Sequence, residues 1–193
     1  MRAGRLRGWL AFICLTSILC ITLSLSQAQT QTQDGSGQSA PERAVKAAFL
    51  YKFAGYVDWP TGTFARADTP LTIAVMGDDQ FADVLAEYVT GRTVDERPIS
   101  VKKQKDDGVA EGINIVFIAR GDKTGLRTAA NSPRPVLIVT ESDGALAQGS
   151  AINFVVSGGR VRFEASTENA EKRRLKLASG LLRVALNTRA TPP

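Results

Sequence analysis

Leu71-Thr-Ile-Ala-Val-Met-Gly-Asp-Asp-Gln-Phe-Ala-Asp-Val-Leu-Ala-Glu-Tyr-Val89 changes its hydrophobic period once, and that change decides the fold. Leu71 to Met76 is a continuous apolar run of strand length. After Gly77-Asp78-Asp79, the residues Phe81, Val84, Leu85 and Tyr88 or Val89 recur at helical spacing. A strand apolar on both faces, followed at once by a helix, opens a parallel α/β unit.

The same grammar continues downstream. Gly91 ends the helix, and Ile99 and Val101 alternate with Ser100 and Lys102 in a second, more exposed strand. Ile113 to Ala119 reads as a central strand covered on both faces, Gly121 to Ala130 as a short helix, and Pro135 to Thr140 as a third buried strand. Ile152, Phe154 and Val156 then alternate with polar or smaller neighbours. Gly158-Gly159 between that run and Arg160-Val-Arg-Phe-Glu-Ala165 signals a hairpin. Ser166 or Thr167 suits the cap of a final helix that carries Glu168 and Glu171 in its first turn. Leu175, Ala178, Leu181, Leu182 and Ala185 would face inward, and the helix would run to about Asn187. Upstream, Pro41 suits a first helical turn, and Val45, Ala48, Phe49, Phe53, Tyr56 and Val57 keep helical spacing until Trp59-Pro60 stops the pattern. The fold class is therefore α/β, a three-layer sandwich whose mostly parallel central sheet ends in an antiparallel edge hairpin.

Composition narrows the chemistry. Arg2, Arg5 and Arg7 precede an uncharged apolar run from Trp9 to Leu25, and Ser26-Gln27-Ala28 offers small residues to a signal peptidase, so residues 1–28 read as a cleaved secretory leader. The run is short for a membrane span, which needs about 20 apolar residues. Gln29 to Ala40 is polar and rich in Gly, Ser and Gln, so a disordered tether is expected there, followed by one domain over residues 41–190. Both cysteines, Cys14 and Cys20, fall in the leader, so no disulfide or thiol chemistry is expected of the exported chain. A lipidated Cys20 is the alternative, although Leu19 stands where a small residue is wanted. The formal charge of +5 falls to about +2 without the leader arginines. Lys and Arg are interspersed with Asp and Glu, so no nucleic-acid partner is expected. The chain has no histidine, which removes Ser-His-Asp triads, Cys-His pairs and histidine-ligated metals.

Few residues invite specific chemistry. Asp78 and Asp79 follow a central strand, where phosphate or magnesium binding is conceivable, yet one Asp capping the next helix is the plainer reading. A receiver domain would need a phosphorylatable Asp after Ile113 to Ala119, and Arg120 stands there. No P-loop and no Gly-x-Gly-x-x-Gly occurs. No cofactor, metal site or catalytic residue is assigned, and a carboxylate enzyme built on Asp78 and Asp79 is the weakest reading. On the edge hairpin Arg160, Arg162 and Glu164 share one face, ordinarily a solvated one. Glu164 could alternatively hold a small polar ligand, with Lys176 supplying an opposing charge. Tyr51, Tyr56 and Trp59 form an aromatic cluster that core packing or a partner surface would explain. Asp58, set between Val57 and Trp59, is a further candidate ligand residue.

Three blocks carry a resemblance. Ala44-Val-Lys-Ala-Ala-Phe-Leu-Tyr-Lys-Phe-Ala-Gly-Tyr-Val-Asp-Trp-Pro60 is similar to the N-terminal signature of the YfiR family. Ala151-Ile-Asn-Phe-Val155 with Arg160-Val-Arg-Phe-Glu164 resembles its second block, and Leu175-Lys-Leu-Ala-Ser-Gly-Leu-Leu-Arg-Val-Ala185 its third. The resemblance implies a non-enzymatic periplasmic α/β regulator that engages the outer part of an inner-membrane signalling protein. A diguanylate cyclase would be restrained and cyclic-di-GMP and biofilm formation lowered. The rival reading is a small-ligand-binding module coupled to a sensor kinase or a TonB-dependent receptor, in which Glu164 and Lys176 grip a small polar molecule, and a homodimer stays open. Some members place a basic residue where Asp58 stands and basic or histidine residues in the last helix near a small-ligand site, and well-known members carry disulfide-forming cysteines that are missing here, so redox control is not carried over. Glu164 and Lys176 are thus the counterparts left for a ligand site.

Overall fold

A computed structural model describes residues 39–105 and 108–189. The expected leader and nearly all of the expected tether lie outside the described residues. The tether's end is corrected: Ser39 caps a helix that already includes Ala40, its side chain accepting the Glu42 N–H at 3.3 Å.

Helix α1 spans Ala40–Ala54 and is followed by β1, Val57–Asp58. Next come β2 (Leu71–Met76), α2 (Asp79–Val89), β3 (Thr93–Val94), β4 (Arg97–Gln104), β5 (Ile115–Ile118), α3 (Lys123–Ala130) and β6 (Leu137–Thr140). A 3-10 turn at Ala145–Gln148 leads to β7 (Ile152–Ser157), β8 (Arg160–Ser166), α4 (Thr167–Glu171), β9 (Lys176–Leu177), α5 (Ser179–Leu182) and β10 (Thr188–Arg189). The main sheet has eight strands in the order β10-β8-β7-β6-β5-β2-β4-β3. Strands β4, β2, β5, β6 and β7 are parallel, and β7–β8 and β3–β4 are antiparallel hairpins. The α/β class, the mostly parallel sheet and the Gly158-Gly159 hairpin are as the sequence predicts.

Alternation along the strands sorts the core into two layers. Ile73, Val75, Ile115, Phe117, Val139, Phe154 and Phe163 pack under α1 and α2, whereas Ala74, Met76, Val116, Ile118 and Ile138 pack under α3. The first layer is centred on Phe53, whose ring lies 5.7 Å from Phe154 and 5.0 Å from Phe163.

Two expectations need correction. Helix α1 ends at Ala54, and its buried face is Arg43, Lys46, Ala47, Leu50, Phe53 and Ala54, not the stripe through Val45 and Tyr56, both of which are exposed. The face turns because Arg43 and Lys46 find buried acidic partners, described below. The single helix expected from Ser166 to Asn187 is instead α4, β9, α5 and β10. Arg174 adopts φ 60°, which a right-handed helix does not tolerate, and Leu175-Lys176-Leu177 continues extended with both leucines buried. Its partner is β1: Val57 pairs with Leu177 and Asp58 with Lys176, forming a separate two-stranded antiparallel sheet.

Candidate functional site

The β1–β9 sheet determines where the candidate residues stand. Gly55 caps α1, and the chain turns into β1, whose Val57 enters the core while Asp58 points outward. The Ala178 N–H donates to the Tyr56 carbonyl at 2.9 Å and extends the pairing by one step. Asp58 and Lys176 are cross-strand partners, both exposed, and neither side chain makes a hydrogen bond or an ion pair among the described residues. Directly opposed Cβ atoms sit about 4.5–5.5 Å apart. A carboxylate and an ammonium are thus held side by side with their bonding capacity facing solvent.

Glu164 is not grouped with them. It occupies the face of β8 opposite Phe163 and Ala165, and its carboxylate accepts the Asn187 side-chain amide at 2.9 Å. Arg160 and Arg162 on that face are exposed, as a solvated face would have them.

The aromatic candidates separate into two places. Tyr56, 44 % exposed, lies beside Gly180, where a Cβ would meet its ring at 3.2 Å. Tyr51 is half-buried: its hydroxyl donates to the Thr93 carbonyl at 3.1 Å and its ring meets Tyr88 edge-on at 6.1 Å, with the Arg92 guanidinium 4.6 Å from the Tyr88 centroid. Trp59, also half-buried, packs edge-on against Phe64, and Phe64 carries the Arg97 guanidinium at 4.2 Å. Tyr51 and Trp59 therefore border the β3–β4 hairpin, while Tyr56 borders the Asp58–Lys176 pair.

A second cluster escapes a reading based on exposed polar residues. At the carboxyl ends of β2, β5 and β6, where the strand order reverses and ligands commonly bind in such sheets, α1 delivers two basic side chains. Lys46, 1 % exposed, places its Nζ 2.5 Å from Glu141 Oε2 and 2.5 Å from Glu42 Oε1. Glu141, also 1 % exposed, uses Oε1 to accept the Arg120 N–H at 3.0 Å. Arg43 donates to Gln80 at 3.0 Å, and its Nε lies 3.9 Å from Asp78 Oδ2. Asp78 spends its other oxygen capping α2 through the Phe81 N–H at 2.9 Å, the plainer of its two readings. Position would have found these residues: Arg43 and Lys46 share the i, i+3, i+4, i+7 stripe of Ala47, Leu50 and Phe53, where an unpaired charge could not be buried.

Two surface depressions along α2 include none of Glu164, Lys176 and Asp58. One, of about 420 Å³, runs between Ala86, Val89 and Arg92 and strand residues Pro98–Val101. The other, of about 410 Å³, lies between Ala44, Tyr88 and Arg92.

Strand order and layering make this a three-layer α/β domain of the doubly wound kind, with its C-terminal segment folded back onto its first helix. Residues 43–186 match the model of the family described as YfiR/HmsC-like, and the chain belongs to that family. No curated protein matches the chain. The structure draws the three signature blocks together: the first and third pair as β1 and β9, and Phe49 and Phe53 of the first lie against Phe154 and Phe163 of the second.

Proposed function

We propose that this chain is a non-enzymatic periplasmic regulator that binds the outer part of an inner-membrane signalling protein, a diguanylate cyclase first of all, and restrains it, so lowering cyclic-di-GMP and biofilm formation. Family membership over residues 43–186 carries this reading. The partner surface would include Tyr56, an exposed aromatic beside unpaired polar groups. Regulation then needs only that the chain bind one state of the sensor better than the other. Deleting and overexpressing the gene while cyclic-di-GMP is measured tests it. Restraint predicts a rise on deletion and a fall on overexpression, and no change in either direction sinks the cyclase assignment.

A second reading, a small polar ligand that tunes this binding, is favoured by one observation: Asp58 and Lys176 are adjacent, exposed and uncommitted. Such a site suits a zwitterion or another molecule with both a donor and an anionic group. Screening amino acids and nucleotides by thermal shift tests it, since a ligand of the folded state raises the melting temperature. The shift should vanish in Asp58→Asn and Lys176→Ala. A shift that both variants retain would move the ligand elsewhere.

A further inference from the structure

The β4 side of the sheet ends in an open edge. Strand β3 pairs only with Arg97 and Pro98, whereas β4 continues to Gln104. The Thr93–Pro98 pairing also directs the Ile99 N–H to the Arg92 carbonyl, so among the described residues nothing pairs with the outer side of Val101 to Lys103. Asp95 and Glu96, with φ 49° and 65°, form a two-residue turn of the primed type, so Val94 and Arg97 flanking it are the pair that exchange hydrogen bonds. Strand alternation then turns the N–H and C=O groups of Ile99, Val101 and Lys103 outward with those of Arg97, and those of Ser100 and Lys102 toward β2.

A trough accompanies this edge. The 420 Å³ depression is lined by Ile99, Val101, Ala86, Val89 and Thr90, with Arg92 at one end. The side chains of Ile99 and Val101 belong to the layer beneath α2 and are only partly buried there. An added strand would therefore find backbone partners and, on alternate residues, an apolar floor. Its flanks are basic: β4 carries Arg97, Lys102 and Lys103 and no acid, although Lys103 is paired with Asp83 at 2.9 Å. Two copies of β4 laid edge to edge would bring these lysines together, which disfavours self-pairing.

We propose that the β4 edge is a docking site for an extended segment of a partner protein, one that adds a ninth strand and alternates apolar residues over the trough with acidic residues that face Lys102 on the opposite side of the sheet. This goes beyond the regulatory reading above, because it concerns the sheet edge opposite β10 and holds whichever protein supplies the segment.

The test uses the isotopically labelled chain and a synthetic ten-residue peptide of alternating valine and glutamate, with a valine–lysine peptide as control. In the free chain the amides of Val101 and Lys103 should exchange at least ten times faster than those of Ser100 and Lys102. The acidic peptide should slow those two at least ten-fold, and the basic peptide should not. Val101→Pro, which removes an outward N–H that the fold does not use, should weaken peptide binding at least ten-fold. If that variant does not fold, the exchange pattern of the unsubstituted chain decides. Val101 and Lys103 amides already slow in the free monomer would overturn the proposal. So would protection of the same amides by dimerisation without peptide, equal binding of both peptides, or acidic-peptide protection confined to another surface.

Discussion

Replacing Lys46 with Met tests the buried ion-pair cluster most directly. The substitution keeps the volume of the side chain and its helix propensity but removes the ammonium 2.5 Å from the carboxylate of Glu141, which is 1 % exposed and also accepts the Arg120 N–H. Removing one partner of a buried pair costs about 3–5 kcal/mol, chiefly because the remaining charge stays desolvated. In a domain of this size that lowers the melting temperature by about 6–20 °C, at about 2–4 °C per kcal/mol. Adding Glu141→Gln removes the carboxylate charge that has lost the ammonium and keeps an oxygen for the Arg120 N–H. The double variant should therefore be more stable than Lys46→Met alone by about 1–3 kcal/mol, even though it carries one more change. Urea unfolding of the parent, both single variants and the double variant, followed by circular dichroism, closes the cycle. Additive losses, or a Lys46→Met variant within about 1 kcal/mol of the parent, would show that the two groups do not meet in a dry site and would refute the reasoning.

Phe53→Ala should cost about 3–5 kcal/mol in the same unfolding measurement, because a ring packed on Phe49, Phe154 and Phe163 leaves a cavity at the centre of the layer. Asp95→Asn combined with Glu96→Gly should raise stability by about 0.5–1 kcal/mol, since both positions hold positive φ that ordinary residues adopt at a cost; a loss would mean the turn is not of the primed type. Lys172 holds the Glu168 carboxyl below its ordinary range through a hydrogen bond at 2.7 Å and its charge. The folded form therefore binds this proton more weakly than the unfolded chain, and the pair's small contribution is complete above the ordinary carboxylate range and is lost as the pH falls through the lowered value. Glu168→Gln should remove that contribution at neutral pH and match the parent in strong acid, which unfolding at the two pH values checks.

What could be read from the sequence is what short-range periodicity encodes. Leu71–Met76, Phe81–Val89 and the Gly158-Gly159 hairpin announce themselves because each repeats a single environment over several residues. The two-residue strands do not. Val57-Asp58 and Lys176-Leu177 have no local reason to be extended and acquire one only from each other, across nearly the whole domain. Leu175-Lys176-Leu177 did carry a period of two, but Leu181 and Leu182 absorbed it into a helical pattern. The orientation of α1 was hidden for a different reason: apolarity marks the buried face only where charges stay wet, and Arg43 and Lys46 are compensated inside. The β3–β4 turn lacked the usual Asn-Gly signal, because Asp95 and Glu96 take left-handed geometry without glycine. Among the candidate site residues, Asp58 and Lys176 came together, whereas the partner of Glu164 is Asn187.

The clasp between β1 and β9 also orders events in time. A polypeptide that is synthesised from its amino end presents α1 and β1 early, yet Val57 gains its strand partner only when Leu177 has emerged, almost at the end of the chain. Closing so long a loop carries an entropic cost that the finished contacts must repay, so the corner that holds Asp58 beside Lys176 cannot form before β9 is available. Without β9 the strands of the parallel sheet keep their partners, but nothing holds Asp58 and Lys176 side by side.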